Sequence, residues 1–177
     1  DRYPTADALD LVRTRTVHLL PDGTVTVREH RVTKILTERG KQYSQITIPF
    51  DVQLQTIALR WAQTIQPDGQ IVPISRDAVS SVAPFQSLIA FSSTHVMIIS
   101  MPAVEPGCVL DWGYDITTKP SLMGNHLWDG VFFSDDHPVL RASYTVTVPA
   151  TKSLRWHASG VPQTPSESRG SAGVSYT

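Results

Sequence analysis

Apolar and polar residues alternate along most of this sequence, and this period-two pattern limits the fold more than any other feature. In residues 108–116, CVLDWGYDI, every second side chain is apolar, and residues 142–148 repeat the pattern. Successive side chains of a β-strand point to opposite faces, whereas a helix repeats about every 3.6 residues. Because β-branched residues are also abundant, we predict that most of the ordered chain is strand, with little helix.

Two Pro-Asp-Gly sequences mark tight turns between strand-like segments. Residues 21–23 separate ALDLVRTRTVHLL from TVTVREHRVTKIL, and residues 67–69 separate QTIALRWAQTIQ from QIVPI. Glycine accepts the positive φ that a tight hairpin requires, so each sequence predicts a hairpin. Arg60 and Thr64 alternate with apolar residues in the strand before the second turn. That strand is predicted to be half buried, with an apolar face formed by Ile57, Leu59, Trp61 and Ile65.

The number and connection of the strands indicate an antiparallel β-sandwich, with a partly closed β-barrel as the alternative. No helix alternates with strands, as it would around a parallel sheet. The chain of 177 residues is long enough for a single domain with a substantial core. Further strands are predicted at residues 43–50, 95–100, 108–118, 139–150 and 153–158.

Two long connections and a linker-like segment separate these strands. Residues 75–94 are predicted to hold one short helical turn before Pro84, and residues 119–138 mix turn residues with aromatic ones. Residues 159–172 have the composition of a loop or linker, and the VSYT sequence that ends the chain is typical of a strand. We expect the natural protein to continue beyond this strand.

The charge balance excludes several classes of partner. Fifteen basic residues stand against sixteen acidic ones, which gives no electrostatic footprint for nucleic acid. The apolar segments are far shorter than the about 18 residues that span a bilayer, so membrane insertion of this segment is not expected. The sequence also lacks a glycine-rich phosphate loop, and we predict no bound cofactor.

Cys108 is the only cysteine, and it invites the hypothesis of a thiol nucleophile. Such a thiol needs a lowered pKa, usually from a histidine or from the N-terminus of a helix. Alternation places Cys108 instead in one apolar row with Leu110, Trp112, Tyr114 and Ile116. Asp111 and Asp115 fall on the opposite face. We therefore predict that Cys108 is a small core residue and that the chain contains no catalytic residue.

The histidines do not predict a metal site. Residues 134–138, SDDHP, put two carboxylates beside His137, but adjacent residues of an extended chain point in opposite directions, and no spaced partner motif completes a ligand set. We interpret this segment as a turn before Pro138, with carboxylates that are solvated or that cap backbone amides. His18, His30 and His157 are predicted to lie on exposed sheet faces. Serines in residues 75–94 lack the context of a catalytic serine.

The aromatic residues supply the candidate contact site. Trp61, Trp112 and Trp156 fall on inward faces by alternation, so core packing is predicted for them. Trp128 lies in a long loop with Phe132 and Phe133 close behind it. These three residues are candidates for contact with a ligand or partner, and the alternative is a loop packed over a sheet edge.

Four separated blocks of the sequence resemble a known family. They are YPTADALDLVRTRTVHLLPDGTVTVREHRVTKILTERGKQYSQITIPFD, LRWAQTIQPDGQIVPI, ISMPAVEPGCVLDWGYDI and YTVTVPATKSLRWHA. In order and spacing they resemble a bacterial domain family of unknown function that is found N-terminal to transglutaminase-like domains. The resemblance runs from Tyr3 to about Ala158.

This resemblance implies a β-sandwich similar to the N-terminal β domain of zinc aminopeptidases. It also implies a periplasmic, cell-envelope or secreted protein, whose catalytic Cys-His-Asp machinery lies in a downstream transglutaminase-like domain of the same chain. The family has no assigned site, so no functional residue is carried over. The position of Cys108 accepts many residue types in the family pattern.

Two functions are therefore expected as alternatives. The first is a non-catalytic accessory domain that packs against, or guides substrate to, a downstream transglutaminase-like or protease-like domain. The second is a module that binds a glycan or an extended peptide through the Trp128 loop or an exposed sheet edge. An exposed Trp128 beside a groove would favour binding. A packed Trp128 with an apolar patch elsewhere would favour domain docking.

Overall fold

The computed structural model describes residues 3–83, 93–120, 127–134, 136–160 and 164–177. Among these residues no helix is both long and apolar enough to cross a membrane. Two short 3-10 helices are present within the same ranges, at Arg39–Ser44 and Arg76–Ala78. The strands of the described ranges are β1 Ala8–Leu19, β2 Val25–Ile35, β3 Gln45–Asp51, β4 Gln55–Ile65, β5 Ile71–Pro73, β6 Val79–Val82, β7 Thr94–Ser100, β8 Val109–Thr118, β9 Ala142–Val148, β10 Glu167–Gly170 and β11 Gly173–Tyr176.

The strands form two sheets that share one core. The large sheet has the order β10-β11-β9-β1-β2-β8-β4-β5, and the small sheet has the order β3-β7-β6. Ile46 and Ile99 of the small sheet belong to the same buried cluster as Leu110 of the large sheet. The predicted β-sandwich with little helix is confirmed, and the sheets do not close into a barrel. One pairing departs from a purely antiparallel arrangement, because β1 and β9 run parallel.

Both predicted hairpins are confirmed. Gly23 and Gly69 adopt φ values of 89° and 91° at the turns that join β1 to β2 and β4 to β5. The row of alternating residues in β8 is also confirmed, because every member is at most 9% exposed: Cys108, Leu110, Trp112, Tyr114 and Ile116.

A β-bulge overturns the predicted faces of β4. The pairing of β4 with β8 shifts register between Leu59 and Trp61, so Arg60 is an extra residue and the alternation changes phase beyond it. Thr64 is therefore fully buried, and Trp61 is 37% exposed. The predictions that Trp61 faces the core and that Thr64 faces outward were wrong.

The chain after β9 also differs from the prediction. Residues 153–158 form no strand, because both sides of β9 are already occupied by β1 and β11. Trp156 is consequently 49% exposed instead of buried, and His157 lies on an exposed segment outside any strand. The prediction of a final strand is confirmed by β11.

Two predicted loops contain strands. Residues 167–170, which we expected in a loop or linker, form β10 and pair with β11. Residues 75–94 contain the predicted helical turn, but they also contain β6, which pairs with β7. The remaining parts of these predictions at residues 84–92, 121–126 and 161–163 lie outside the described residues, as does Asp135.

Candidate functional site

A stripe of polar side chains crosses the inner face of the large sheet, between two apolar regions. The register pairs Tyr144 with Arg15, Arg15 with Glu29 and Glu29 with Tyr114, so these four lie in one row across four strands. Arg31 lies on the same face, two residues further along β2. We refer to these five residues as the charged stripe. Apolar residues flank it at both ends of β2, which places paired charges where a continuous core would otherwise run.

Short contacts neutralise the buried carboxylate of the stripe. Glu29, which is 9% exposed, accepts hydrogen bonds from Arg15 Nη1 and from the Tyr114 hydroxyl, each at 3.0 Å. The Arg31 guanidinium lies over the Trp112 ring, with Nη2 at 4.0 Å from Glu29 Oε1. Burial, together with the negative charge of Glu29, raises the pKa of Tyr114 well above its usual range. The phenol therefore stays protonated and donates to the carboxylate.

Asp129 ties a loop to this stripe. The Arg15 guanidinium donates from Nε and Nη2 to the two carboxylate oxygens of Asp129, at 3.1 and 2.9 Å, and the Tyr144 hydroxyl donates to Oδ2 at 3.0 Å. Burial and the charge of Asp129 raise the pKa of Tyr144 well above its usual range, so this phenol also remains a donor. Such a two-pronged ion pair fixes direction as well as distance.

The anchored segment, residues 127–134, presents aromatic side chains to solvent, and we refer to it as the aromatic loop. Trp128 is 94% exposed, Phe132 is 83% exposed and Phe133 is 41% exposed. Leu127, by contrast, packs against the core. The structure thus places the three predicted contact residues on one exposed segment, and the alternative of a loop packed over a sheet edge does not describe Trp128.

Trp128 does not line the cleft beneath the aromatic loop. That cleft has a volume of about 130 Å³ and is lined by Phe132 and Gly130 on the loop side and by Arg13, Arg15 and Glu29 on the sheet side. Pockets for small ligands usually hold at least about 300 Å³. Neither pattern expected from the sequence is met in full, because Trp128 is exposed, as expected for ligand binding, but does not line this cleft. The small volume makes the arrangement better suited to contact with another surface than to enclosure of a ligand.

A second buried polar group, formed by Asp10 and His137, lies beside the stripe. Asp10 is fully buried, and its Oδ1 accepts a hydrogen bond from Thr33. His137 is 7% exposed, and its Nε2 lies 3.1 Å from the same oxygen, but the angle between the two groups is not that of a hydrogen bond. Burial alone would raise the pKa of Asp10, but His137, Thr33 and the charge of Arg31 outweigh it and leave the pKa below its usual value. The interpretation of residues 134–138 as a turn did not anticipate the burial of His137, which Tyr43 covers at 4.7 Å between ring centres.

The outer face of the large sheet carries a further cluster around Asp111. Its carboxylate accepts hydrogen bonds from Trp61 Nε1 at 2.9 Å and from Gln63 Nε2 at 3.0 Å, and His30 Nε2 lies 2.9 Å away. The Trp61 ring lies over Gly113, where an added Cβ would be 2.6 Å from it. A large ring over a glycine is a known means of stabilising a sheet, so this cluster has a structural explanation.

The burial of Cys108 and the grouping of possible metal ligands bear on two hypotheses about chemistry. Cys108 is fully buried, and burial raises the pKa of its thiol, which is the reverse of what a nucleophile requires. Within the described ranges, no three His, Cys, Asp or Glu side chains are grouped so that they could hold a metal ion.

Comparison with solved structures identifies proteins of similar architecture. A solved structure of a candidate protease from Parabacteroides distasonis superimposes with a TM-score of 0.85 at 20% identity, covering 96% of this chain and 35% of that one. An M1 zinc metallopeptidase from Deinococcus radiodurans gives a TM-score of 0.45 at 16% identity, covering 98% of this chain and 38% of that one. The first likeness shows the fold, and this chain spans about a third of the length of that protein.

The sequence was also compared with curated proteins and with family models. No curated protein matches it. A family described as "Domain of Unknown Function with solved-structure structure (DUF3857)" matches residues 21–177, which is most of the chain. The chain therefore belongs to the DUF3857 family of domains of unknown function.

Proposed function

We propose that this domain is a non-catalytic accessory domain of a larger extracytoplasmic bacterial protein, and that its aromatic loop docks onto a downstream domain of the same polypeptide. That domain is transglutaminase-like or protease-like. One observation carries the proposal: Trp128 and Phe132 are almost fully exposed, while Asp129 between them is held by Arg15 and Tyr144.

The energetics of the aromatic loop favour a covered state. Burying a large apolar side chain stabilises a complex by about 1.5–3 kcal/mol, and aromatic residues are frequent anchors of interfaces. Because the Arg15–Asp129 ion pair already fixes the middle of the loop, less conformational entropy is lost when a partner covers its tip. An anchored, exposed aromatic pair is thus suited to docking.

The size of the similar solved structure supports a multidomain context. This chain aligns with 35% of the candidate protease, so most of that protein lies outside the shared domain. The buried Cys108 offers no nucleophile of its own. We therefore place the chemistry in a neighbouring domain and the contact function here.

A second function, binding of a glycan or peptide by the aromatic loop, is supported by the exposed Trp128 ring, which could stack on a sugar. The small volume of the cleft under Phe132 favours domain docking over this alternative. If Trp128→Ala left the affinity for cell-wall glycans and peptides unchanged, the ligand-binding alternative would be removed.

Site-specific photo-crosslinking tests the docking proposal. A benzophenone amino acid would replace Phe132 in the longer natural polypeptide, and the crosslinked peptides would be identified by mass spectrometry. A matched control would carry the same probe at Leu54, which is also exposed, at 54%, but lies at the turn between β3 and β4. Crosslinks from position 132 to the downstream domain, absent from position 54, are expected. Equal yields from both positions would contradict the proposal.

A further inference from the structure

A groove of about 290 Å³ separates the two sheets on the side of β3. Its floor belongs to the large sheet and includes Glu29, Arg31, Trp112 and Tyr114. Its wall is formed by five consecutive residues of β3, 45–49. Consecutive side chains of a strand point to opposite faces of its sheet. Because five consecutive residues of β3 line the groove, the groove runs along the edge of β3 and not along one of its faces. We refer to it as the β3 groove.

The main chain of β3 directs unpaired groups into this groove. Among the residues that the structure describes, β3 pairs with β7 alone. The carbonyl of Ser44 and the N–H of Val52 bond on the β7 side. Since the direction of these groups alternates along a strand, the even-numbered residues between them pair with β7. Gln45, Thr47 and Pro49 therefore direct their main-chain groups to the open edge.

The open edge is bounded at one end. The N–H of Asp51 is capped by the Gln55 side chain at 2.8 Å, and Pro49 has no N–H to offer. Gln45 and Thr47 retain both donor and acceptor, and within the described residues no hydrogen bond reaches their main-chain groups. Proteins usually protect such edges, because they are templates for another strand. Here the part left unprotected coincides with the length of the β3 groove.

We propose that the β3 groove binds an extended peptide segment of another protein, which adds to the small sheet as a fourth strand beside β3. Main-chain hydrogen bonds to Gln45 and Thr47 would provide the part of the affinity that does not depend on the side chains of the peptide. This inference is independent of the docking role proposed for the aromatic loop, because it uses a different surface.

The floor of the groove indicates which side chains such a peptide carries. Alternate side chains of the added strand would face Trp112 and the Glu29 carboxylate. Glu29 already accepts hydrogen bonds from Arg15 and Tyr114, so it offers little to an incoming cation. Arg31 already lies 3.7 Å from Asp10 Oδ2 and 4.0 Å from Glu29 Oε1, so it offers little to an incoming anion. A charged side chain of either sign would therefore lose its hydration there without adequate compensation. The inward-facing residues are therefore expected to be uncharged, such as valine or threonine.

A defined peptide tests the proposal. The probe is an acetylated and amidated peptide of alternating valine and threonine, flanked by lysines for solubility. Binding to the 177-residue chain would be measured by calorimetry and by amide hydrogen exchange. We expect the amides of Gln45 and Thr47 to gain protection when the peptide binds. A peptide with N-methyl groups along the edge that faces β3 should fail to bind.

Substitution at Thr47 separates main-chain recognition from other contacts. Thr47→Pro removes the outward N–H but leaves the pairing with β7, and proline is tolerated at such edge positions. It should weaken peptide binding about tenfold, whereas Thr47→Ala should change the affinity by less than about twofold. Absence of peptide binding at millimolar concentration, or binding that Thr47→Pro leaves unchanged, would overturn the proposal. Protection of Thr47 that rises with protein concentration alone would identify a second copy as the occupant and would also overturn it.

Discussion

Arg15 and Asp129 are 114 residues apart in sequence, yet the Arg15 guanidinium donates two hydrogen bonds, of 3.1 and 2.9 Å, to the Asp129 carboxylate. The pair joins the second half of β1 to the aromatic loop. Both side chains are largely covered, with exposed fractions of 22% and 18%. This largely covered ion pair and the Tyr144 hydroxyl that shares the carboxylate therefore fix the loop together with Leu127, which packs against the core.

Asp129→Asn should lower the free energy of unfolding by about 1–3 kcal/mol, because it leaves Arg15 half buried with one fewer charged partner. Urea denaturation of the wild type and the variant measures this change in the free energy of unfolding. Arg28 and Asp115 provide a matched control with the same two-pronged geometry, at 2.8 and 2.9 Å. The Arg28 side chain is 63% exposed, so Asp115→Asn should cost less than about 1 kcal/mol. Equal costs would show that burial of the Arg15 pair adds nothing.

The lowered pKa of Asp10 predicts a loss of stability in acid. Its native pKa lies below the unfolded value of about 3.9, so the stabilisation is present above that pH and is lost as the pH falls through the native pKa. Asp10→Asn removes this contribution. The wild type should be more stable than the variant at pH 7, and the difference should shrink below about pH 4. A constant difference from pH 7 to pH 2 would contradict the assignment.

Gly113→Ala should destabilise the large sheet by about 1–3 kcal/mol, because the added methyl would meet the Trp61 ring at 2.6 Å. The ring cannot simply turn away while its Nε1 is bonded to Asp111. Gly130→Ala is the control, since nothing lies within 4 Å of its added Cβ. In a Trp61→Ala background the cost of Gly113→Ala should fall, and the Glu29 carbonyl oxygen, 3.1 Å from the added Cβ, would account for what remains. If the cost did not fall there, the ring would not be its cause.

Cys108 should resist thiol reagents in the native protein. It is fully buried, so a reagent cannot reach the sulfur. Burial also raises the pKa of its thiol, which lowers the fraction of reactive thiolate. Modification followed over time should proceed only at the rate of unfolding and accelerate in urea. Rapid labelling of the folded domain would contradict the core assignment.

Particular residues show what the sequence could predict. The buried row that begins at Cys108 was predictable, because its alternation continues without interruption through β8. Trp61 was not, because the extra residue Arg60 reverses the alternation and no turn residue announces the bulge. Trp156 was misplaced because strand-like composition cannot reveal that β11 occupies the free side of β9.

The candidate site also has residues that the sequence could predict and residues that it could not. The sequence indicated Trp128 and Phe132 as candidate contact residues but left open whether the loop packs over a sheet edge, and the structure places both side chains at the surface. The charged stripe was missed, although Arg15 and Glu29 share the parity of buried valines in their strands, which is a signal for charges on an inner face. Their partner Asp129 was beyond sequence reasoning, because nothing local relates a loop to a strand 114 residues away.

Solvent access to Trp128 distinguishes a docked aromatic loop from an uncovered one. The domain alone and the larger protein of the proposal would be labelled with 5-fluorotryptophan, the Trp128 resonance assigned with Trp128→Phe, and its relaxation by a soluble gadolinium chelate measured in both. We expect strong relaxation in the isolated domain, where the side chain is 94% exposed, and marked shielding in the larger protein. Equal relaxation in the two proteins would contradict docking through the aromatic loop.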